Sequence, residues 1–160
     1  MTLPDVWLVY RTNPAISFWD TAAVAGSIAR FPFVVAFAYT RDETNHFADI
    51  LLPDATDLEG LQLIRIGGTK YVEQFWDQQG FALRQPVVAM RGQARDFTDI
   101  ATELARRTGV LDKYNAAINR GAGGVPLKGA HGDFSLPTAQ AHTREQIWDA
   151  VCRAASAELS

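Results

Sequence analysis

The chain has 160 residues, 48% of them hydrophobic and 21% charged, the composition of a globular domain long enough to bury roughly 70% of the surface its unfolded form exposes. Its formal charge of -3 sets aside wholesale binding to nucleic acid as a main occupation, and no run reaches the roughly 20 apolar residues of a membrane span. Cys152 is the single cysteine, so an internal disulfide and a cysteine-ligated zinc or iron-sulfur centre made by this chain alone are excluded.

The first residues lack the basic-then-apolar order of a secretory signal, because Asp5 comes early and Arg11 interrupts the apolar run; the default expectation is a cytoplasmic protein. From Asp5 to Arg11 the sequence DVWLVYR predicts a strand, stopped by the turn chemistry of Thr12-Asn13-Pro14. Ser17 or Asp20 can cap a helix to about Arg30, and its small residues Ala22, Ala23, Ala25, Gly26 and Ala29 predict close packing on a sheet. The run from Pro32 to Tyr39 is apolar at both alternating sets of positions, as in a parallel strand covered on both faces. A polar stretch, Thr40 to His46, precedes a third apolar run, Asp49 to Leu52, closed by Pro53. Strand, crossover, strand, short crossover, strand predicts an α/β fold with a Rossmann-like parallel sheet and flanking helices, part of a doubly wound domain.

From Leu58 to Val88 the runs LQLIRI, KYVEQFW and FALRQPVV, separated by Gly67, Gly68 and Gly80, predict loops and short ribbons. A helix begins at Asp96, an N-cap candidate, with Phe97, Ile100, Ala101, Leu104 and Ala105 on one face, Arg106 and Arg107 in its last turn and Gly109 as its stop. A second helical piece is expected over Leu111 to Asn119. Gly121 to Pro137 reads as an irregular surface segment. The last helix opens at Thr143 with a capping box to Gln146 and turns Ile147, Val151, Ala154 and Ala155 inward.

Several chemistries find no support. Gly121 to Pro126 lacks the last glycine of a dinucleotide fingerprint, and Lys128 lacks the spacing of a phosphate-binding loop, leaving a flexible connection as the expectation. His46, His131 and His142 fall in no metal signature and are expected to carry no ligand. No serine lies in a nucleophile elbow, and Cys152 sits on or near a helix's apolar face as an inert thiol. The carboxylates Asp42, Glu43, Asp49, Asp54, Asp57 and Glu59 crowd the loops after the second and third strands, where an open parallel sheet forms its ligand crevice.

Three stretches in order carry a resemblance: the strand ending in Asn13-Pro14, the run FVVAFAYTRDETNHFADILLP to Pro53 with Glu59 soon after, and RGQARDFTDIATELARRTG from Arg91 to Gly109. The core of the second is E-T-x-x-x-A-D-I-x-L-P, here Glu43, Thr44, Ala48, Asp49, Ile50, Leu52 and Pro53. Together they resemble the molybdopterin oxidoreductases that carry a bis(molybdopterin guanine dinucleotide) cofactor. The resemblance covers roughly the first 110 residues and implies the second half of one nucleotide-binding domain, with the cluster cysteines and the molybdenum ligand on segments upstream. It implies cofactor contacts at Asn13, before the proline; Ser17, opening the next helix beside free backbone N-H groups; Asp54, directly after Leu-Pro; and Asp96, opening the following helix. A carboxylate can accept the N1-H and N2-H edge of guanine with charge-assisted strength. Thr44 matches the family pattern and can equally cap the short helix after it; Asp49 is expected to be structural. Phe37 and Ala38 depart from a polar pair common in the family, with Tyr39 or Thr40 as replacements.

The implied function is a share of the cofactor cradle, not catalytic alone, in an oxidoreductase whose iron-sulfur centres lie elsewhere. Implied partners are the remainder of the catalytic subunit or an iron-sulfur electron-transfer subunit, and exposed sheet edges predict self-association. The alternatives are a stand-alone nucleotide-binding or interaction module derived from that domain, and an unrelated hydrolase-like enzyme using the loop carboxylates.

Overall fold

The structure, a computed structural model, describes residues 4–66 and 80–158; the predicted KYVEQFW ribbon lies outside them. The described residues form a mixed α/β fold whose chain divides into two units, residues 1–56 with 90–97 and residues 57–89 with 98–160.

The first unit is built on three strands, β1 (Trp7–Tyr10), β2 (Val34–Ala38) and β3 (Ile50–Pro53), in the spatial order β1-β2-β3. Both pairings are parallel, running from Trp7 opposite Val34 to Tyr10 opposite Phe37, and from Val35 opposite Ile50 to Ala38 opposite Pro53. Parallel neighbours require crossovers, supplied by α1 (Pro14–Ser17) with α2 (Thr21–Ile28) and by a single 3-10 turn at Asn45–Phe47. All three strands therefore end at the same edge.

The unbroken apolar run of β2 has the reason predicted for it. Val34 and Ala36 join Val9 in one buried layer, flanked by Trp7 and Phe31 with ring centroids 5.0 Å apart. Phe37 points the other way and meets Phe97 edge-on at 5.5 Å, while Tyr10 stacks on Phe97 at 3.8 Å. Alternating residues of one strand thus meet different layers, as a period of two demands.

Crossover helix α2 departs from expectation. Asp20 is its N-cap, its carboxylate accepting from Ala23 N at 2.9 Å, whereas Ser17 ends the one-turn helix α1 and is exposed. Ile28 is buried and Val24 and Ala25 are half-buried, but Ala22, Ala23, Gly26 and Ala29 face away. The apolar side chains at i and i+4 define the buried stripe, and the small residues lie off it; a Cβ on Gly26 would meet nothing within 4 Å.

In the second unit β4 (Gln62–Ile66) and β5 (Gly80–Arg84) form an antiparallel ribbon. Helix α3 (Phe97–Arg107) stops at Gly109, whose φ of 74° is the left-handed C-terminal conformation that glycine adopts without penalty. Helix α4 (Leu111–Ala117) runs into a π turn at Ile118–Ala122, followed by the two-residue strands β6 (Lys128–Gly129) and β7 (Gly132–Asp133) and by α5 (Arg144–Glu158). The predicted capping box is present and reciprocal: Thr143 N donates to Gln146 Oε1 at 3.0 Å and Gln146 N to Thr143 Oγ1 at 3.3 Å.

The glycine-rich segment after α4 is irregular, as read, but it is packed rather than loose. Val125 and fully buried Leu127 enter a core with Ile118, Ile147, Val151, Ala154 and Ala155. Beyond the short β6-β7 pairing, several of its backbone polar groups are met by side chains. Asn119 receives Leu136 N and donates to Leu136 O, both at 2.9 Å, and buried Asn115 donates to Thr138 O and Gln140 O. His142 is buried, with Nε2 2.7 Å from Pro137 O; a carbonyl only accepts, so that nitrogen carries the proton. Cys152 is half-buried and its thiol pKa is raised, first by burial and then by Asp149, in keeping with the inert thiol expected.

Gly123 tests this packing. A Cβ there would stand 2.9 Å from Cγ2 of fully buried Val151, a stiff β-branched side chain. We predict that Gly123→Ala costs about 1–3 kcal/mol by overpacking and that the Gly123→Ala/Val151→Ala double variant recovers part of the combined loss. Urea denaturation midpoints check this; strictly additive costs would refute the contact.

Candidate functional site

The carboxyl edge of the parallel sheet gathers the loops that follow all three strands. After β1 come Arg11 and Asn13, after β2 come Asp42, Glu43 and Thr44, and after β3 comes Asp54. A further segment reaches the same edge: Arg95 forms a parallel bridge with Asp54, Ala55 N donates to Arg95 O at 3.0 Å, and Arg95 N donates to Pro53 O at 3.4 Å. That bridge brings Asp96 alongside Asp54.

Asn13 and Thr44 form one half of the edge. The Thr44 hydroxyl donates to Asn13 Oδ1 at 2.7 Å and accepts from Ala15 N at 2.9 Å, and Thr44 N donates to Asn13 Oδ1 at 3.2 Å. The amide of Asn13 in turn donates to Glu43 Oε2 at 2.7 Å, which lowers the Glu43 pKa. Thr44 is fully buried and does act as a cap, but of α1 across the loop, since it makes no side-chain cap bond to the 3-10 turn after it. The α1 amide at Ala15 is thereby committed to Thr44, and at α2 the Ala23 amide is committed to Asp20. Ser17 lies at the exposed end of α1 rather than opening a helix.

The other half is the carboxylate pair. Asp54 and Asp96 are both buried, 2% and 6% exposed. Arg11 Nε pairs with Asp54 Oδ2, and an Nη of Arg11 donates to Ala55 O. Asp54 Oδ1 is buried without a hydrogen-bond partner. The Asp54 pKa is raised, chiefly because burial disfavours its charge, with Asp96 adding repulsion; Arg11 opposes both without overcoming them.

The remaining loop carboxylates divide. Asp49 accepts from Val34 N at 2.8 Å and ties β3 to β2, the structural role expected. Asp42 receives Asn45 N at 2.8 Å and fixes the 3-10 turn. Asp57 and Glu59 belong to the second unit, where Asp57 pairs with Arg84 at 2.6 Å. Beside Asn13 and Glu43 an open hollow of about 480 Å³ is lined by Ala15, Thr21, Ala25, Arg41, Glu43 and His46 among others, within the size range of small-ligand sites. Arg11, Arg41 and His46 were not singled out as site residues from sequence. Only their place in the loops that follow β1 and β2 could have marked them. Among the described residues no group of three or more His, Cys, Asp and Glu could hold a metal, and no helix is long and apolar enough to cross a membrane.

No family model matches the chain. It is similar to trimethylamine-N-oxide reductase of Haemophilus influenzae, 28% identical over 116 residues, which are 71% of this chain and 13% of that protein. The chain therefore corresponds to a small part of the relative's length.

Two outcomes follow from the geometry. Thr44→Val keeps the shape but strips Ala15 N-H of its acceptor and Asn13 of a donor, and should cost about 1–3 kcal/mol in denaturant titration. For Asp54, the raised pKa means that stability is fully present below the ordinary aspartate value near ~3.9 and is lost as pH rises through the raised one. The melting-temperature gap between Asp54→Asn and the wild type should therefore move in favour of the variant as pH rises from 3.5 to 7, and a constant gap would contradict the assignment.

Proposed function

We propose that this chain contributes one wall of a molybdopterin guanine dinucleotide site in a molybdopterin-dependent oxidoreductase, with a Rossmann-like arrangement of its parallel strands. One observation carries the reading: a buried aspartate pair, Asp54 and Asp96, with an unpaired acceptor at Asp54 Oδ1, stands at the edge where parallel sheets take their ligands. These residues fit guanine, whose N1-H and N2-H donors a carboxylate accepts with charge-assisted strength. The similarity to trimethylamine-N-oxide reductase supports the family, and the order of the three resembling stretches supports the cofactor.

When bound, the molybdenum cofactor would supply two-electron redox chemistry, with any iron-sulfur centres lying on other segments. The residues of this chain bind and orient, the usual protein share in cofactor catalysis. Asp54 and Asp96 take the base. Asn13 and Thr44, locked to one another, form the neighbouring wall, and the hollow lined by Arg41 and His46 offers the Arg41 guanidinium to phosphate. Leu8 on β1 and Ile50, Leu51 and Leu52 on β3 are between 38% and 52% exposed, which supports a partner segment or chain over the sheet: the remainder of the catalytic subunit, or failing that a second copy.

Isothermal titration of the purified chain with GMP and AMP tests the reading. GMP should bind at least about tenfold more tightly than AMP, and Asp54→Asn or Asp96→Asn should each weaken GMP by roughly ten- to hundredfold, the range for losing a charge-assisted hydrogen bond. Equal affinity for the two nucleotides would overturn it.

A further inference from the structure

Arg11 joins β1 to the site loops with φ at 44°, the one positive value at a non-glycine position among the described residues. A side chain is strained in that region, and such strain persists where the surroundings hold it. Here the hold is on the guanidinium. Its Nε donates to Asp54 Oδ2 and an Nη to Ala55 O, while its carbon lies 5.4 Å from the ring centroids of both Tyr10 and Tyr39.

A guanidinium is a planar N-C-N donor set, and the N1-H, C2, N2-H2 edge of guanine is the same arrangement of atoms. The carboxylate of Asp54, the carbonyl of Ala55 and the aromatic faces of Tyr10 and Tyr39 are partners that a guanine base would also use. We propose that Arg11 is an internal mimic of guanine that occupies the base subsite on Asp54, so that a guanine nucleotide binds by displacing it and Arg11 sets the affinity and selectivity of the site. The inference rests on the reading of Asp54 as the guanine acceptor. Selectivity arises because displacement must be repaid: guanine returns two N-H donors to the carboxylate, whereas adenine has no such edge to offer. The apparent affinity for guanine is lowered by the fraction of molecules in which Arg11 is seated.

The test titrates GMP and AMP into the wild-type chain and its Arg11→Gly, Arg11→Lys and Asp54→Asn variants. Arg11→Gly also suits the positive φ. It should tighten GMP by about tenfold by removing the competitor, and millimolar guanidinium ion should reverse that gain. Arg11→Lys, which keeps the charge but not the planar fork, should tighten GMP less. GMP bound by the wild type and weakened by Asp54→Asn, but not tightened by Arg11→Gly, overturns the mimic and leaves the guanine reading standing. No preference for GMP over AMP in any chain overturns both. Should a variant fail to fold by circular dichroism, the wild type decides alone: saturation with GMP should move the Arg11 Nε-H nuclear magnetic resonance signal to the position of a solvated guanidinium, and an unmoved signal refutes the displacement.

Discussion

Asp54 is a carboxylate taken almost wholly out of water, with one oxygen held by Arg11 and the other by no group. Burying such a charge is unfavourable unless it is paired and hydrogen-bonded, and the second acidic side chain, Asp96, adds to the penalty. The first unit is organised around meeting that cost in part. The left-handed turn at Arg11 delivers a cation, and the bridge between Asp54 and Arg95 fixes the carboxylate's backbone on both sides. A site that is under-satisfied in this way has free energy to release when a donor arrives, which is the physical content of preorganisation.

The opposite half of the edge is arranged on another principle. Asn13 and Thr44 spend their hydrogen bonds on each other, on Ala15 and on Glu43. Thr44 is fully buried and bonded as both donor and acceptor, which holds this half in place and gives the hollow beside it a fixed wall. Its donors being committed, it contributes shape more than new hydrogen bonds. The same holds at the helix starts, where Thr44 and Asp20 take amides that a phosphate would otherwise meet. The guanidinium of Arg41, rather than a helix N-terminus, is then the group in the hollow that can attract a phosphate.

How much of this was legible depended on whether the signal was local. β2 was readable because an apolar run without alternation has few other homes, and the caps at Asp20 and Thr143 because each acts within four residues of itself. The parallel pairing of the three strands was readable from the two-faced apolarity of β2 and the strand-crossover-strand order of the elements. What escaped depends on distant partners. Glycines around Gly121 and Gly123 looked like a loose connection, yet the approach of Val151, nearly thirty residues on, makes one of them a packing requirement. The small residues of α2 looked like a seam, but one-dimensional composition does not say which side of a helix a sheet will take. Thr44 was readable as a cap and not as a cap for α1, since nothing in its neighbourhood names Ala15. Arg11 looked only like the polar end of a strand.

The competition at Asp54 bears on why a chain would keep an arginine there at all. An aspartate pair at the end of a parallel sheet, left without a cation, would repel itself and drive one member to take up a proton. A protonated aspartic acid offers guanine a donor where an acceptor is required. By holding one oxygen of Asp54 with a positive charge, Arg11 opposes that protonation, and the carboxylate keeps more of its acceptor character than burial and Asp96 alone would leave it. The residue that blocks the base subsite is therefore also the one that preserves its chemistry. A lysine could supply the charge but would not match the planar edge of the base it stands in for, and an uncharged residue would supply neither. Arginine alone among the common side chains reconciles the two demands.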